Sequence, residues 1–159
     1  MKKTNLKILM RNVEIKGYSI LKDFLSIKQC KKLKTLINSS KKGKVFKKFH
    51  GEDAQMYYNL TSKHFKFFDL VFNKQVLKIF EKFFDNGSYL KDKFVFQFDH
   101  LHARKLTGPC KAQSLHIDSR ICGVYPPTSL HMFVYLDKVE KGSGATRIVP
   151  KSHKFLRYP

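Results

Sequence analysis

The sequence predicts an α+β domain, with helices packed on one side of an antiparallel sheet. Apolar residues recur at helical spacing in the first half, at Ile27, Cys30, Leu33, Leu36 and Ile37 and again at Val76, Leu77, Phe80, Phe83 and Phe84. Period-two alternation and β-rich runs come later, from Phe94 to Arg104 and beyond Lys111. The chain shows neither βαβ alternation nor an internal repeat, so the helices come first and the short strands follow.

The elements follow in order. Residues 1–11 are basic and weakly patterned, a short lead-in. Val13 to Leu21 reads as a strand, with Val13 and Ile15 alternating with Glu14 and Lys16 and a break at Gly17. A helix starts after Ser26, which with Gln29 three residues on forms a capping-box pattern, and Asn38-Ser39-Ser40 ends it. Lys41 to Lys48 is a charge run, an exposed loop or, less simply, a grip for an anionic group. Ala54 to Leu60 fits a strand or a loop, and Lys63 to Phe72 is a Phe-rich helix. Asn73 caps a clearer helix from Lys74 to Phe84, whose aromatic stripe is a core face, and Asp85-Asn86-Gly87 turns the chain.

In the Phe94–Arg104 strand, Phe94, Phe96, Phe98, His100, His102 and Arg104 share one face, and Val95, Gln97, Asp99, Leu101 and Ala103 the other. After the turn at Thr107-Gly108-Pro109, Lys111 to Asp118 is a strand and Ser119 to Thr128 a loop. Leu130 to Asp137 is a β-rich run, Lys138 to Gly144 a polar Gly-containing turn, and Ala145 to Lys154 a second short strand stopped by Pro150.

The 159 residues bound the chain to one domain. Hydrophobic residues at 42% and aromatics at 14% exceed disordered composition, and fifteen Phe with no Trp predict a Phe-rich core. No run of apolar residues is long enough for a transmembrane helix, and the basic start lacks the apolar segment and cleavage site of a signal peptide. Cys30, Cys110 and Cys122 lack metal-type spacing and read as reduced thiols in a cytoplasmic protein. The net charge of +20 is concentrated in residues 1–50, which hold 15 Lys/Arg against 2 acids. A basic nucleic-acid-binding domain is one reading of that charge, but the excess is nearly all Lys rather than the Arg that reads phosphates and bases. Lys used as solvated surface explains it as well.

The chemistry-bearing stretch is Ser114-Leu115-His116-Ile117-Asp118. In a strand, His116 and Asp118 project from the same face and Ile117 from the other. An imidazole and a carboxylate so placed make two thirds of a 2-His-1-carboxylate triad, which leaves positions of Fe(II) open. The tripeptide alone also fits a surface strand carrying two polar residues. His100 and His102, likewise at i and i+2, are a weaker metal candidate.

The surrounding layout resembles the phytanoyl-CoA dioxygenase family of Fe(II)/2-oxoglutarate oxygenases. The matching pieces are His116-Ile117-Asp118, Leu136-Asp137, Gly142-Ser143-Gly144-Ala145 and Val149-Pro150-Lys151-Ser152-His153, together with the opening Gly17 to Ser26. One departure is Lys151, where the family usually has Gly. The resemblance implies a double-stranded β-helix (jelly-roll or cupin-like) core. It also implies Fe(II) held by His116 and Asp118, 2-oxoglutarate as cosubstrate, and O2-dependent hydroxylation of a small organic substrate, which the Lys-rich front half would favour as an anion. His153 would be a structural or loop residue and His131 a strand residue near the cavity.

In that family the second metal His and the Arg that holds 2-oxoglutarate lie after the Ser-His segment. The expectation is therefore a single oxygenase domain over 1–159 that lacks its C-terminal strands and is inactive by itself. A catalytically inactive cupin-like binding module is the alternative. Prolyl-4-hydroxylase-like enzymes share His-x-Asp but not the Val-Pro-Lys-Ser-His segment.

Overall fold

The computed structural model describes residues 5–40, 45–49, 52–85, 97–108, 113–118 and 129–155. Helix α1 (Leu6–Lys16) is set by local chemistry at both ends. The Asn5 side chain accepts from the Lys7 N–H at 3.0 Å, and Gly17, at φ +85°, returns its N–H to the Val13 carbonyl at 2.8 Å. This corrects the expected lead-in over 1–11 and the expected strand from Val13 to Leu21. Val13 and Ile15 occupy the last turns of the helix, where two caps and the burial of Leu9 outweigh two β-branched residues. Residues 18–21 enter no strand.

Helix α2 (Ile27–Ser39) carries the expected capping box, with the Gln29 side chain accepting from the Ser26 N–H at 2.8 Å and the Ser26 hydroxyl accepting from the Gln29 N–H at 3.3 Å. Its apolar face starts a turn later than the spacing suggests. Ile27 is 77% exposed, whereas Leu33 is buried and Leu36 and Ile37 pack against the core.

The charge run after α2 is not simply a loop. Residues 41–44 lie outside the described set, but Val45–Phe49 forms strand β1, antiparallel to β2 (Glu52–Tyr57) with Val45 opposite Gln55. Val45, Phe46 and Phe49 favour a strand, and lysine is common where a strand has an open edge. Among the described residues, the sheet order β1-β2-β3 leaves β1 at an edge. The central strand β2 settles the strand-or-loop alternative for residues 54–57, where Ala54, Gln55 and Tyr57 are all buried. The Tyr57 hydroxyl donates to Gln55 Oε1 at 2.9 Å, which satisfies both polar groups.

A helical excursion separates β2 from its other neighbour. It comprises α3 (Leu60–Lys63), a 3-10 turn (Phe65–Phe67), α4 (Phe68–Val71) and α5 (Lys74–Asp85). The expected helix over 63–72 is broken at His64, whose backbone is extended. The Asn73 side chain accepts from the Gln75 and Val76 N–H groups at 2.9 and 3.4 Å, capping α5 as expected. Strand β3 (Ala103–Leu106) then pairs antiparallel with β2, Ala103 opposite Tyr57 and Leu106 opposite Ala54. Of the strand expected from Phe94 to Arg104, residues 94–96 lie outside the described set, 97–102 join no ladder, and pairing runs on to Leu106.

Helices and an antiparallel sheet thus make an α+β arrangement. They meet at Leu33, Tyr57, Leu60 and Phe67, joined by half-buried Leu101, Ala103 and Leu136. Phe67 and Tyr57 are 1% and 2% exposed, and each contributes about 1.5–3 kcal/mol by leaving water.

No described residue from 113 to 118 or from 129 to 149 is in a strand, contrary to the strands expected around 111–118, 130–137 and 145–154. The inward-outward alternation survives without a ladder. Met132, Val134 and Leu136 are half-buried, while His131, Phe133 and Tyr135 are exposed. The turn expected before Ala145 is present: the Ser143 N–H donates to the Glu140 carbonyl at 3.0 Å, and Gly142 and Gly144 hold φ +90° and +85°. Pro150 stands in a turn followed by the 3-10 turn Ser152–Lys154, with no strand before it to stop. The expected turns at 86–87 and 109 and the loop 119–128 lie outside the described set. Among the described residues, no helix is long and apolar enough to cross a membrane.

Candidate functional site

The core determines which side chains reach the site. Leu101 and Leu136 are both anchored in it, and the Leu101 carbonyl accepts from the Leu60 N–H at 3.0 Å. Side chains on either side of an anchored residue in extended chain point away from the core. His100 and His102 flank Leu101, and their rings stack at 5.0 Å between centroids. His131 stands on the outward set of the Leu130–Leu136 run, with its ring 6.4 Å from that of Phe133.

The predicted pair, His116 and Asp118, does come together. His116 Nε2 lies 3.2 Å from Asp118 Oδ1, both side chains about half exposed. The other ring nitrogen, Nδ1, is 2.8 Å from the Ser114 carbonyl. A carbonyl only accepts, so Nδ1 carries the hydrogen and a neutral His116 presents a lone pair from Nε2. That lone pair faces a carboxylate oxygen. Two electron-rich atoms at this separation repel unless a proton or a cation lies between them.

Bonds of about 2.1 Å at right angles put neighbouring octahedral donors about 3 Å apart. The His116–Asp118 edge therefore fits a divalent cation. A ligating imidazole whose second nitrogen donates to a backbone carbonyl is also the usual arrangement around a protein-bound metal.

A third side chain, His131, was expected near the cavity in a strand; it stands in no strand, and its contact was not foreseen. His131 Nδ1 lies 3.4 Å from Asp118 Oδ2, so one carboxylate has an imidazole against each oxygen. The alternation of Leu130–Leu136 was the available signal, since it puts His131 on the outward face. Its partner is set by the tertiary fold and has no local signature. Among the described residues no three His, Cys, Asp or Glu side chains converge as a metal-holding group; the two imidazoles stand against different oxygens of Asp118. His102 stands nearby. Burial, then the neighbouring His100 and His131, hold its imidazole below the ordinary value, so the ring is neutral at neutral pH.

The other motif pieces position these groups. Leu136 is anchored in the core and Asp137 pairs with Lys34 of α2 at 2.6 Å, which fixes the end of the His131 run. Gly144 lets the turn close on β3, since a Cβ there would stand 2.6 Å from Leu106 Cδ1. The Arg147 guanidinium points to the Gln113 carbonyl at 3.5 Å, beside the start of the His116 segment. The Ser152–His153 turn docks on the end of α1. The Lys151 N–H donates to the Lys16 carbonyl at 2.8 Å, and His153 Nε2 is 3.0 Å from the Glu14 carbonyl. His153 therefore has the structural part expected of it. Lys151, the departure noted in the sequence, holds φ +70°.

A family model described as phytanoyl-CoA dioxygenase matches residues 13–159. No curated protein and no solved structure matches the chain significantly.

Proposed function

Because the chain belongs to the phytanoyl-CoA dioxygenase family, we propose that it is an Fe(II)/2-oxoglutarate-dependent oxygenase acting on a small organic substrate, with His116 and Asp118 as metal ligands. The observation that carries this reading is the His116 Nε2–Asp118 Oδ1 edge of 3.2 Å, with Nε2 left as a lone pair by the Ser114 contact. Fe(II) with 2-oxoglutarate and O2 supplies a two-electron oxidation that yields succinate and carbon dioxide and places one oxygen atom on a substrate C–H bond. The part of this chain is to hold the metal. His116 offers Nε2, and the Ser114 carbonyl fixes its ring and tautomer. Asp118 offers a carboxylate that offsets the cation's charge. The jelly-roll architecture and a cytoplasmic setting belong to the same reading.

Titration with Mn2+, a redox-stable substitute for Fe(II), tests it directly. His116→Ala and Asp118→Ala should each weaken binding at least tenfold, with metal-free melting temperatures near that of the parent. Equal affinity in all three proteins refutes the assignment. Mn2+ binding accompanied by 2-oxoglutarate-dependent succinate formation under Fe(II) completes the support.

A further inference from the structure

The contact between His131 and Asp118 has no counterpart in the His-x-Asp motif. The Asp118 carboxylate is half exposed, and the terminal torsion of an unconstrained aspartate is broad. Only some of its orientations bring a carboxylate oxygen against His116 Nε2. What stands against the other oxygen therefore decides how often the ligand pair is formed.

His131 is suited to that place by its own anchoring. Met132, Val134 and Leu136 turn inward, Leu136 is in the core, and Asp137 is tied to Lys34 at 2.6 Å. The His131 Nδ1 atom then lies 3.4 Å from Asp118 Oδ2. A carboxylate only accepts, so the attractive arrangement has the hydrogen on Nδ1.

We propose that His131 is a positioning residue for the metal site: it holds Asp118 Oδ2 through Nδ1–H and so aims Oδ1 at the cation beside His116 Nε2. This rests on the reading of His116 and Asp118 as ligands. Outer partners of this kind typically change metal affinity about 10–100-fold when removed.

Two variants separate this role from a general structural one. Asn places an amide N–H near the position of the imidazole Nδ1, whereas Ala places nothing there. In Mn2+ titrations, His131→Ala should bind 10–100-fold more weakly and His131→Asn should recover to within about threefold of the parent. Metal-free melting temperatures should agree, because the His131 side chain is half exposed. Parent-like affinity in His131→Ala overturns the proposal, and so does an Asn variant as weak as the Ala variant.

Asp118→Ala distinguishes the two levels. If it binds Mn2+ as the parent does, the ligand assignment has failed. A second measurement needs no metal: long-range proton–nitrogen NMR of the histidine rings. His131 should be the Nδ1–H tautomer in the parent and lose that preference in Asp118→Ala. An unchanged tautomer mixture in the two proteins removes the contact on which the inference stands.

Discussion

Replacing Lys151 by glycine should stabilise the protein, although it deletes a side chain and loosens the unfolded backbone. Lys151 holds φ +70°, in the left-handed region, at the turn between Pro150 and the 3-10 turn Ser152–Lys154. An L-residue with a Cβ is strained there by about 1–2 kcal/mol, and glycine is not. Glycine loses about 0.5–1 kcal/mol more backbone entropy on folding. Taking the midpoints, the difference favours the variant by about 0.75 kcal/mol. The side chain is exposed, so little packing is lost, and the backbone bond from the Lys151 N–H to the Lys16 carbonyl needs no side chain. In urea the midpoint should rise with an unchanged slope, and the melting temperature should rise by about 1–4 °C. Lys138→Gly, at a position outside the left-handed region, is the control and should fall. A Lys151→Gly midpoint at or below the parent would falsify the strain account.

Gly17→Ala should cost about 1–3 kcal/mol in urea unfolding, because φ +85° is combined with a Cβ 2.4 Å from His153 Nδ1; His153→Ala in the same chain should return part of the loss. Stability should rise with pH through the range just below the ordinary imidazole value. The fold lowers the proton affinity of His102 by burial and by His100 and His131, so the unfolded chain binds more protons there; above that range the contribution is flat, and His102→Gln should remove the slope in pH-dependent melting. Asn73→Ala should destabilise by about 1 kcal/mol, since two N–H groups at the start of α5 lose their acceptor.

The parts of the fold readable in advance are those whose causes are local. Ser26 with Gln29, and Asn73 with the Val76–Phe84 stripe, contain their own start signals and periodicity, and both helices stand where the residues put them. Helix α1 was misread because Val13 and Ile15 mimic a strand at its C-terminal end, while the competing signal, Asn5 as a cap, is a single residue. Strand β1 was hidden by Lys47 and Lys48, which suit an edge strand as well as a loop. The run Leu130–Leu136 shows the inverse case, where alternation correctly sorted inward from outward residues but could not supply a pairing partner. The His116–Asp118 pair was readable from a spacing of two. His131 against Asp118, and His102 between two other imidazoles, depend on segments brought together by Leu101 and Leu136, which no local pattern encodes.

The docking of Lys151 and His153 on Lys16 and Glu14 joins positions more than 130 residues apart. During synthesis α1 emerges well before its docking partner. An isolated helix of eleven residues is marginal in water, and closing so long a loop carries an entropy term that must be met before the contact returns anything. The end of α1 is therefore completed late in folding, when nearly the whole described chain is available. The contact works as a latch between two segments far apart in the chain.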